Sequence, residues 1–169
     1  GAPARIRFTA SSQSVLPEIA RLDGVRWIEE VAEQMEDNGN TAGTIQSGTP
    51  GNTPIWDRGI HGEGQIIGVI DSGAVDIAHC FFQDPTNNTP GPTHRKVLEV
   101  RPASNSGHAT FVAAIALGDD FNNLGAAANR GNAWAARLVS GGRAEGIFNA
   151  LTSNNAQGVR IHTNSWHDN

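Results

Sequence analysis

The chain has 169 residues, of which 38% are hydrophobic, and a formal net charge of −5. It contains no apolar run near the ~20 residues that a membrane helix needs, and no basic face that would neutralise nucleic-acid phosphates. The single cysteine, Cys80, excludes an internal disulfide framework and a thiolate zinc cluster. This length suits one domain or part of a larger one. Residues 1–20 lack the apolar core of a secretory signal, so either a signal has been removed or the protein was never exported.

The first 35 residues have the pattern of a small β-α-β segment. Residues 4–8 alternate charged and apolar side chains, as in a half-buried strand. A short helix is predicted around Pro17 and is expected to stop at Gly24. Residues 25–31 then predict a second strand, with Val25 and Trp27 on one face.

Residues 36–54 differ in composition from what precedes and follows them. They are rich in Gly, Asn, Thr and Pro and show no hydrophobic periodicity. Such a composition predicts a linker or a surface loop. We therefore place a domain boundary here, before a larger domain at residues 55–169.

The larger domain alternates strands and helices. Strands are predicted at residues 65–70, 96–100, 134–139 and 159–163, and helices at residues 110–117 and 144–157. The first of these strands is a continuous apolar run, which is typical of a strand buried on both faces. The pattern predicts an α/β fold with a doubly wound parallel sheet.

Asp71 directly follows the apolar strand at residues 65–70 and precedes Ser72 and Gly73. The carboxyl ends of parallel strands border the usual ligand crevice. An acid at this place is therefore a candidate site residue. Taken alone, Asp71 is equally well explained as the cap of a turn.

His108 stands at the start of the predicted helix 110–117, which is rich in small residues. Taken alone, it is best explained as a histidine in a helix cap. Together with Asp71 it has a more specific interpretation, because a strand end and the start of a following helix can meet over one sheet edge. The acid would then hold the imidazole by one nitrogen, and the other nitrogen could take a proton from a nucleophile.

Three stretches of the sequence resemble the subtilase family. The motif Ile70-Asp71-Ser72-Gly73 resembles its aspartate motif, and residues 107–114, Gly-His-Ala-Thr-Phe-Val-Ala-Ala, resemble its histidine motif Gly-His-Gly-Thr-His-Val-Ala-Gly. The order Asp before His, with a serine expected last, is also that of subtilisin. Residues 158–166 are similar to a strand of the large alkaline subtilases. The resemblance covers residues 55–169 and implies the N-terminal part of a subtilisin-like catalytic domain.

The resemblance implies a role for several residues. Asp71 and His108 would be two members of the Asp-His-Ser triad of a serine endopeptidase. Ser165, Trp166 and His167 would line the substrate channel near the first specificity pocket. Residues 1–35 resemble the end of a subtilase propeptide, which implies a zymogen; the competing interpretation is an ordinary N-terminal subdomain.

The sequence departs from the family motifs at four positions. Ala109 and Ala114 replace glycines of the histidine motif, and Phe111 replaces a histidine that is not catalytic. His167 stands where the family usually has glycine after Ser-Trp. None of these changes removes the base, so they affect the expected packing and specificity rather than the class of reaction.

The nucleophilic serine and the oxyanion-hole asparagine of the family are expected after Asn169. The serines at 140, 153 and 165 lack the required Gly-Thr-Ser context. We therefore expect a partner, a C-terminal subtilase fragment that carries the serine, with peptides or proteins as substrates and neither nucleic acid nor membrane involved. The alternative is an inactive subtilase-like module with a binding or regulatory role. A carboxylate–histidine metal hydrolase would need a third ligand that the sequence does not show.

No redox or organic cofactor is required by this chemistry. The resemblance implies a structural Ca²⁺ in the loop that follows the helix of His108, where Asp119 and Asp120 offer oxygen ligands. The spacing lacks a calcium-loop pattern, and a solvated turn is the favoured interpretation. The resemblance alone favours a secreted or cell-envelope location.

Overall fold

The computed structural model describes residues 8–10, 12–28, 38–123 and 130–166. The chain divides into two compact units, residues 1–36 and 37–169. Within the described ranges, no helix is both long and apolar enough to cross a membrane.

The first unit contains the predicted short helix. Helix α1 spans Leu16–Ala20 with Pro17 at its start, where a missing backbone N–H costs nothing. One turn of 3₁₀ helix precedes it at Gln13–Val15, and the Ser12 side chain caps that turn by accepting a hydrogen bond from Ser14 N. The chain then turns at Gly24, which has a φ of 92°.

The second strand predicted for this unit is wrong over residues 25–28, which form no strand. Val25 N donates to Leu22 O in a turn, and the Trp27 side chain is 78% exposed. A strand needs a neighbouring strand to pair with its backbone groups, and the described part of this unit contains no strand. Residues 4–7 and 29–31 of the two predicted strands lie outside the described residues. The propeptide role remains a prediction.

The loop conformation predicted for residues 36–54 is wrong over ten of them, because helix α2 spans Asn38–Ser47; the role of the segment as a linker stays a prediction. The Gln46 side-chain oxygen accepts hydrogen bonds from the backbone N–H groups of Ile55 and Trp56, at 3.0 and 3.3 Å. The Trp56 indole in turn donates to Asn132 O at 2.9 Å. Long-range contacts therefore override the weak local preference of this Gly- and Asn-rich segment.

The second unit is built on one parallel sheet. Its strands are β1 (Ile66–Asp71), β2 (Val97–Val100), β3 (Arg137–Gly142) and β4 (Ile161–Thr163). They lie in the order β2-β3-β1-β4, and every pair is parallel. Two longer helices, α3 (Gly107–Leu117) and α4 (Ile147–Ala156), connect them. The predicted α/β architecture is therefore confirmed.

Strand β3 begins three residues later than predicted. The residues before it instead hold a buried lysine, because the Lys96 ammonium donates to Trp134 O and Ala136 O, both at 2.7 Å. Burial lowers the pKa of Lys96 to about 7. Two backbone carbonyls of this segment thus bind the amine, and the pairing of β3 with β1 begins at Arg137.

The helices cover opposite faces of β1. Ile67 and Val69 belong to the buried cluster that contains one side of α3. Gly68, between them, faces α4, and a Cβ at Gly68 would lie 2.9 Å from His162 Nδ1 and 3.0 Å from Val159. This alternation explains why β1 is without polar side chains before Asp71, since both of its faces are covered.

The same core accommodates the two alanines that replace motif glycines. Ala109 is fully buried and Ala114 is 4% exposed, and both lie in the cluster that packs α3 on the sheet. Small side chains at these positions let the helix lie close to β1 and β3. The substitutions therefore alter local packing and leave the helix in place.

The strand order makes β1 a topological switch point. After β1 the chain runs to β2, returns to β3 beside β1, and then crosses to β4 on the other side of β1. Ligands of open parallel sheets bind outside the carboxyl ends of the strands at such a point. Asp71 is the last residue of β1.

Candidate active site

Asp71 is buried at the end of β1, with 1% of its surface exposed. Its Oδ1 accepts two hydrogen bonds from the next residue, from Ser72 N at 2.7 Å and from Ser72 Oγ at 3.0 Å. A buried carboxylate needs such donors, because removing its charge from water is costly.

His108 reaches the same oxygen from helix α3. Its Nδ1 lies 2.8 Å from Asp71 Oδ1. The His108 side chain is 52% exposed, in contrast to the 1% of Asp71. Within the described part of the chain, Nε2 of His108 has no hydrogen-bond partner. The structure therefore brings together the two residues that the sequence singled out, with one ring nitrogen held and the other facing solvent.

The segment after β1 is held tightly to the start of α3. Ala74 N donates to Ser104 O, and Ser106 N donates back to Ala74 O, both at 2.9 Å. Thr110 Oγ1 donates to Ser106 O at 2.8 Å and accepts from Asp76 N at 2.9 Å. These contacts join the elements that carry Asp71 and His108, and we call them the strand–helix seam.

Gly73 lies at the closest approach in this seam. A Cβ at Gly73 would overlap Ser104 O and lie 3.0 Å from Ser106 Cβ. The glycine is therefore required for proximity rather than for an unusual φ. This gives a physical reason for the Asp-Ser-Gly sequence.

The electrostatics of the pair favour an ionised carboxylate. Burial acts to raise the pKa of Asp71, but the hydrogen bonds from His108 and Ser72 outweigh it, and the pKa lies below its ordinary value of 3.8. Asp71 is therefore negatively charged at neutral pH. In this state it accepts a hydrogen bond from Nδ1–H and leaves Nε2 with a lone pair, which is the form of imidazole that acts as a base.

A groove of about 440 Å³ lies beside His108. The residues that line it are His108, Phe111, Val112, Ile115, Ala116, Asn132, Thr163 and Ser165. The phenylalanine that replaces the motif's second histidine is 54% exposed here. An exposed apolar wall beside a base marks a surface where another group binds.

The predicted substrate-channel residues differ in their placement. Ser165 lines the groove together with His108. The Trp166 indole N–H donates to Ile70 O at 2.9 Å, so its polar edge joins the end of β4 to the end of β1. His167 lies outside the described residues. Contact of these residues with a substrate remains a prediction.

The sequence interpretation missed the contribution of three polar residues. The hydroxyl groups of Ser72 and Ser106 lie 2.9 Å apart next to Asp71. Asn132, which lies in the connection between α3 and β3, lines the groove. Ser106 could have been noticed, because serine before a helix is a preferred N-cap. Nothing local in the sequence marks Asn132.

Asp119, one of the two residues predicted to bind calcium, is held by two arginines. Arg130 Nε lies 3.0 Å from Asp119 Oδ1, and Arg95 lies 3.5 Å from Asp119 Oδ2. Both carboxylate oxygens therefore face cations, whereas Ca²⁺ needs oxygen ligands free to converge on it. Within the described ranges, no three His, Cys, Asp or Glu side chains gather as a metal site.

The second unit is thus an α/β domain with a carboxylate–imidazole pair at the switch point of its sheet, and comparison with known proteins identifies its family. The model described as "Subtilase family" matches residues 62–168. The match covers more than half of the chain and both members of the pair. The chain belongs to the subtilase family.

One curated relative is similar over nearly the whole chain. It is the Serine protease/ABC transporter B family protein tagA of Dictyostelium discoideum, which is 31% identical over 184 residues. The alignment covers 94% of this chain and 10% of that protein. The chain thus spans about a tenth of the length of the relative that it matches.

Proposed function

We propose that this chain supplies the aspartate and the histidine of a subtilisin-type serine endopeptidase. The serine and the oxyanion-hole asparagine would lie on a C-terminal part or on a partner chain. The observation that carries the proposal is the 2.8 Å contact between Asp71 Oδ1 and His108 Nδ1, with the carboxylate buried and the ring half exposed.

The proposed mechanism divides the work between the two residues. Asp71 holds the Nδ1–H tautomer of His108 and stabilises the imidazolium that forms when Nε2 takes the proton of the serine hydroxyl. The serine oxygen attacks the peptide carbonyl, and His108 then gives the proton to the leaving amine. Water hydrolyses the acyl-enzyme with His108 again acting as the base.

The partner would bind in the groove beside His108. Phe111, which is 54% exposed, and Ile115 provide an apolar wall there. Strand β4 is an outer strand of the described sheet, and its Ile161 is 49% exposed. An uncovered apolar strand edge is a liability in an isolated protein, which supports the proposal that the rest of a catalytic domain covers this side.

The substrate would be a peptide in extended conformation. Ser165 and Trp166 follow β4 at the carboxyl edge of the sheet, where an added strand can pair with the backbone. Ser165 is the member of this set that shares the groove with His108. Backbone pairing would hold the scissile carbonyl near the base.

Active-site labelling tests the proposal. The chain would be prepared together with its C-terminal part, treated with a fluorophosphonate and assayed on a fluorogenic peptide. We expect a serine outside residues 1–169 to be labelled, and His108→Ala to abolish labelling and peptide cleavage. His79→Ala, which changes an exposed histidine away from the groove, is the matched control and should retain both.

Absence of labelling in a folded, fully assembled protein would contradict the proposal. That result would instead favour the inactive subtilase-like module with a binding or regulatory role. Labelling that persists in His108→Ala would show that the serine is activated by another group.

A further inference from the structure

Two serine hydroxyls connect the first turn of helix α3 to the carboxylate of Asp71. Ala109 N lies 3.2 Å from Ser106 Oγ. Ser106 Oγ lies 2.9 Å from Ser72 Oγ, which lies 3.0 Å from Asp71 Oδ1. The four groups form a continuous chain of hydrogen bonds, which we call the hydroxyl relay.

The direction of every hydrogen bond in the relay follows from its two ends. An ionised carboxylate can only accept, so the single hydrogen of Ser72 Oγ points to Asp71. A backbone N–H can only donate, so Ser106 Oγ accepts from Ala109. Because the hydrogen of Ser72 points to Asp71, Ser72 Oγ must accept the single hydroxyl hydrogen of Ser106, and every donor of the relay points towards the carboxylate.

The hydrogen bonds of Asp71 are concentrated on one of its two oxygens. Oδ1 receives the donors of Ser72 and His108. Oδ2 is buried and has no hydrogen-bond partner in the described part of the chain. The orientation of the carboxylate, and with it the tautomer of His108, therefore depends on the donors that converge on Oδ1.

We propose that Ser106 is a positioning residue that acts on His108 through Ser72 and Asp71. Hydrogen bonds that run in one direction polarise one another, and the relay begins at the partly positive N-terminus of α3. Donation by Ser106 strengthens donation by Ser72 and favours the charged carboxylate. This proposal rests on the proposed function, because it assigns a part in the same proton transfer.

The backbone around Ser106 keeps the relay in place. Ser106 N donates to Ala74 O at 2.9 Å. Ser106 Cβ packs close to Gly73, where a Cβ on residue 73 would lie only 3.0 Å away. The N-cap dihedral angles of Ser106, φ −123° and ψ 123°, are ordinary extended values that alanine, glycine and threonine also adopt. Substitution at this position therefore changes the side chain without straining the backbone.

Three substitutions of Ser106 separate a relay from a simple helix cap. Ser106→Ala removes the cap and the hydroxyl. Ser106→Gly removes the hydroxyl but, at an N-cap, costs a helix much less stability than alanine does. Ser106→Thr keeps both the cap and the hydroxyl. Ser104→Ala is the control. Ser104 is a neighbouring exposed serine that takes part in the strand–helix seam through its backbone carbonyl, which the substitution keeps.

The first measurement is NMR of the full chain. Carboxyl titration gives the pKa of Asp71, and the ring nitrogens of His108 give its tautomer. We expect Ser106→Ala and Ser106→Gly to raise the pKa of Asp71 and to increase the Nε2–H tautomer of His108. Ser106→Thr and Ser104→Ala should match the unmodified chain. In the assembled protein, kcat/KM should fall roughly threefold to tenfold for Ala and Gly, the usual effect of one lost hydrogen bond.

Two outcomes would contradict the relay, and a third would contradict both the relay and the proposed function. Ser106→Gly that matches the unmodified chain in both titrations would reduce Ser106 to a helix cap. An Asp71 pKa that is the same in all variants would remove the coupling altogether. A His108 ring that shows no Nδ1–H contact with Asp71 in the unmodified chain would overturn the proposed function itself, and the relay with it.

Discussion

At the scale of single residues, the site depends on how closely two backbone segments approach. The turn after Asp71 packs directly on residues 104–106, and Gly73 supplies the space. In other positions of the same region a glycine is not required. Gly107, the first residue of α3, has no atom within 4 Å of the position of a Cβ and does not have a positive φ.

These two glycines give a matched pair of substitutions. Gly73→Ala should destabilise the fold by about 1–3 kcal/mol, because an extra methyl group must push Ser104 and Ser106 away from the turn that follows Asp71. It should also lower kcat/KM in the assembled protein by at least roughly tenfold, because misplacement of a catalytic group is costly. Gly107→Ala should leave stability unchanged or raise it, since alanine favours helix. Denaturant unfolding compares the two, and equal tolerance would contradict the close contact.

Much of the site at this scale could be predicted from the sequence. A polar residue after an apolar strand, and a histidine at a helix start, are local signals, and the subtilase motifs made their pairing specific. The joined hydroxyls of Ser72 and Ser106 could not be predicted, because the two residues are 34 positions apart and serines are common in turns. The groove residue Asn132 was missed for the same reason.

At the scale of elements, side chains on α3 carry the seam as well as the base. Thr110 is 8% exposed, and its hydroxyl connects the carbonyl of Ser106 to the N–H of Asp76. It thereby joins the helix to the segment that leaves β1. Among the residues that the structure describes, the Thr152 hydroxyl on α4 makes only a local hydrogen bond, to Phe148 O four residues earlier.

Substituting the two threonines compares a hydrogen bond between elements with a hydrogen bond inside one helix. Thr110→Val preserves shape but leaves the Asp76 N–H without its acceptor, and should cost about 1–3 kcal/mol of unfolding free energy. Thr152→Val should change the free energy by no more than about 0.5 kcal/mol, as is usual for an exposed side chain. Thermal or urea unfolding decides the comparison. A small loss of unfolding free energy in Thr110→Val would contradict this, because it would mean that water replaces Thr110 as the acceptor for the Asp76 N–H.

The turn before β2 contains a histidine that should make stability depend on pH. His94 is 2% exposed, and its Nδ1 accepts hydrogen bonds from Lys96 N and Val97 N, both at 3.0 Å. Burial lowers the pKa of His94 below its ordinary value of 6.5. The folded chain therefore keeps this ring neutral at a pH where the unfolded chain protonates it.

The sign of the effect follows from proton linkage. The unfolded state binds more protons at this residue, so its contribution to stability is present above pH 6.5 and falls as the pH drops below that value. We expect the unfolding free energy to decrease between pH 7.5 and 5, and His94→Asn, whose amide oxygen can still accept an N–H, to decrease less. Parallel pH profiles for the two proteins would contradict this assignment.

The elements themselves were predicted unequally well. The strands of the sheet and helices α3 and α4 could be predicted because their hydrophobic patterns are strong and because the elements next to them in the chain fit the same α/β alternation. Helix α2 was not, because Asn38–Ser47 has almost no hydrophobic periodicity and is held by tertiary contacts such as the Gln46 bonds to Ile55 and Trp56. The strand predicted at residues 25–31 failed over residues 25–28 for the converse reason, a fitting pattern without a partner strand.

At the scale of the whole molecule, the groove beside His108 is the surface on which the proposal of a C-terminal partner depends. Its wall consists of side chains of α3, and Phe111 is its most exposed aromatic residue. In the assembled protein this wall would be buried. A charge placed there would then be desolvated, which is costly.

Phe111→Glu should therefore weaken association with the C-terminal part, or destabilise the joined domain, by roughly tenfold to a hundredfold in the equilibrium constant. Ile45→Glu is the control, because Ile45 is 66% exposed and lies on α2. Titration calorimetry of the two parts, or limited proteolysis of the intact protein, measures the difference. Equal behaviour of both variants would show that this groove is not the docking surface.

The fold class could be predicted from strand and helix alternation, and family membership from two short motifs. The order β2-β3-β1-β4 could not be read from the alternation alone, because several doubly wound orders fit the same run of elements. That order is what makes β1 the switch point. That Asp71 ends the strand at the switch point can therefore be seen only from the order of the whole sheet.

The most direct test of the central claim, that Asp71 and His108 act as one unit, is a double-mutant cycle on peptide cleavage by the assembled protein. Asp71→Asn, His108→Ala and the double variant would be compared by kcat/KM. Residues of one catalytic unit are strongly non-additive, so we expect each single variant to lose about a thousandfold or more and the double variant to be no slower than His108→Ala. Losses that multiply, or an Asp71→Asn variant that retains full activity, would contradict the claim.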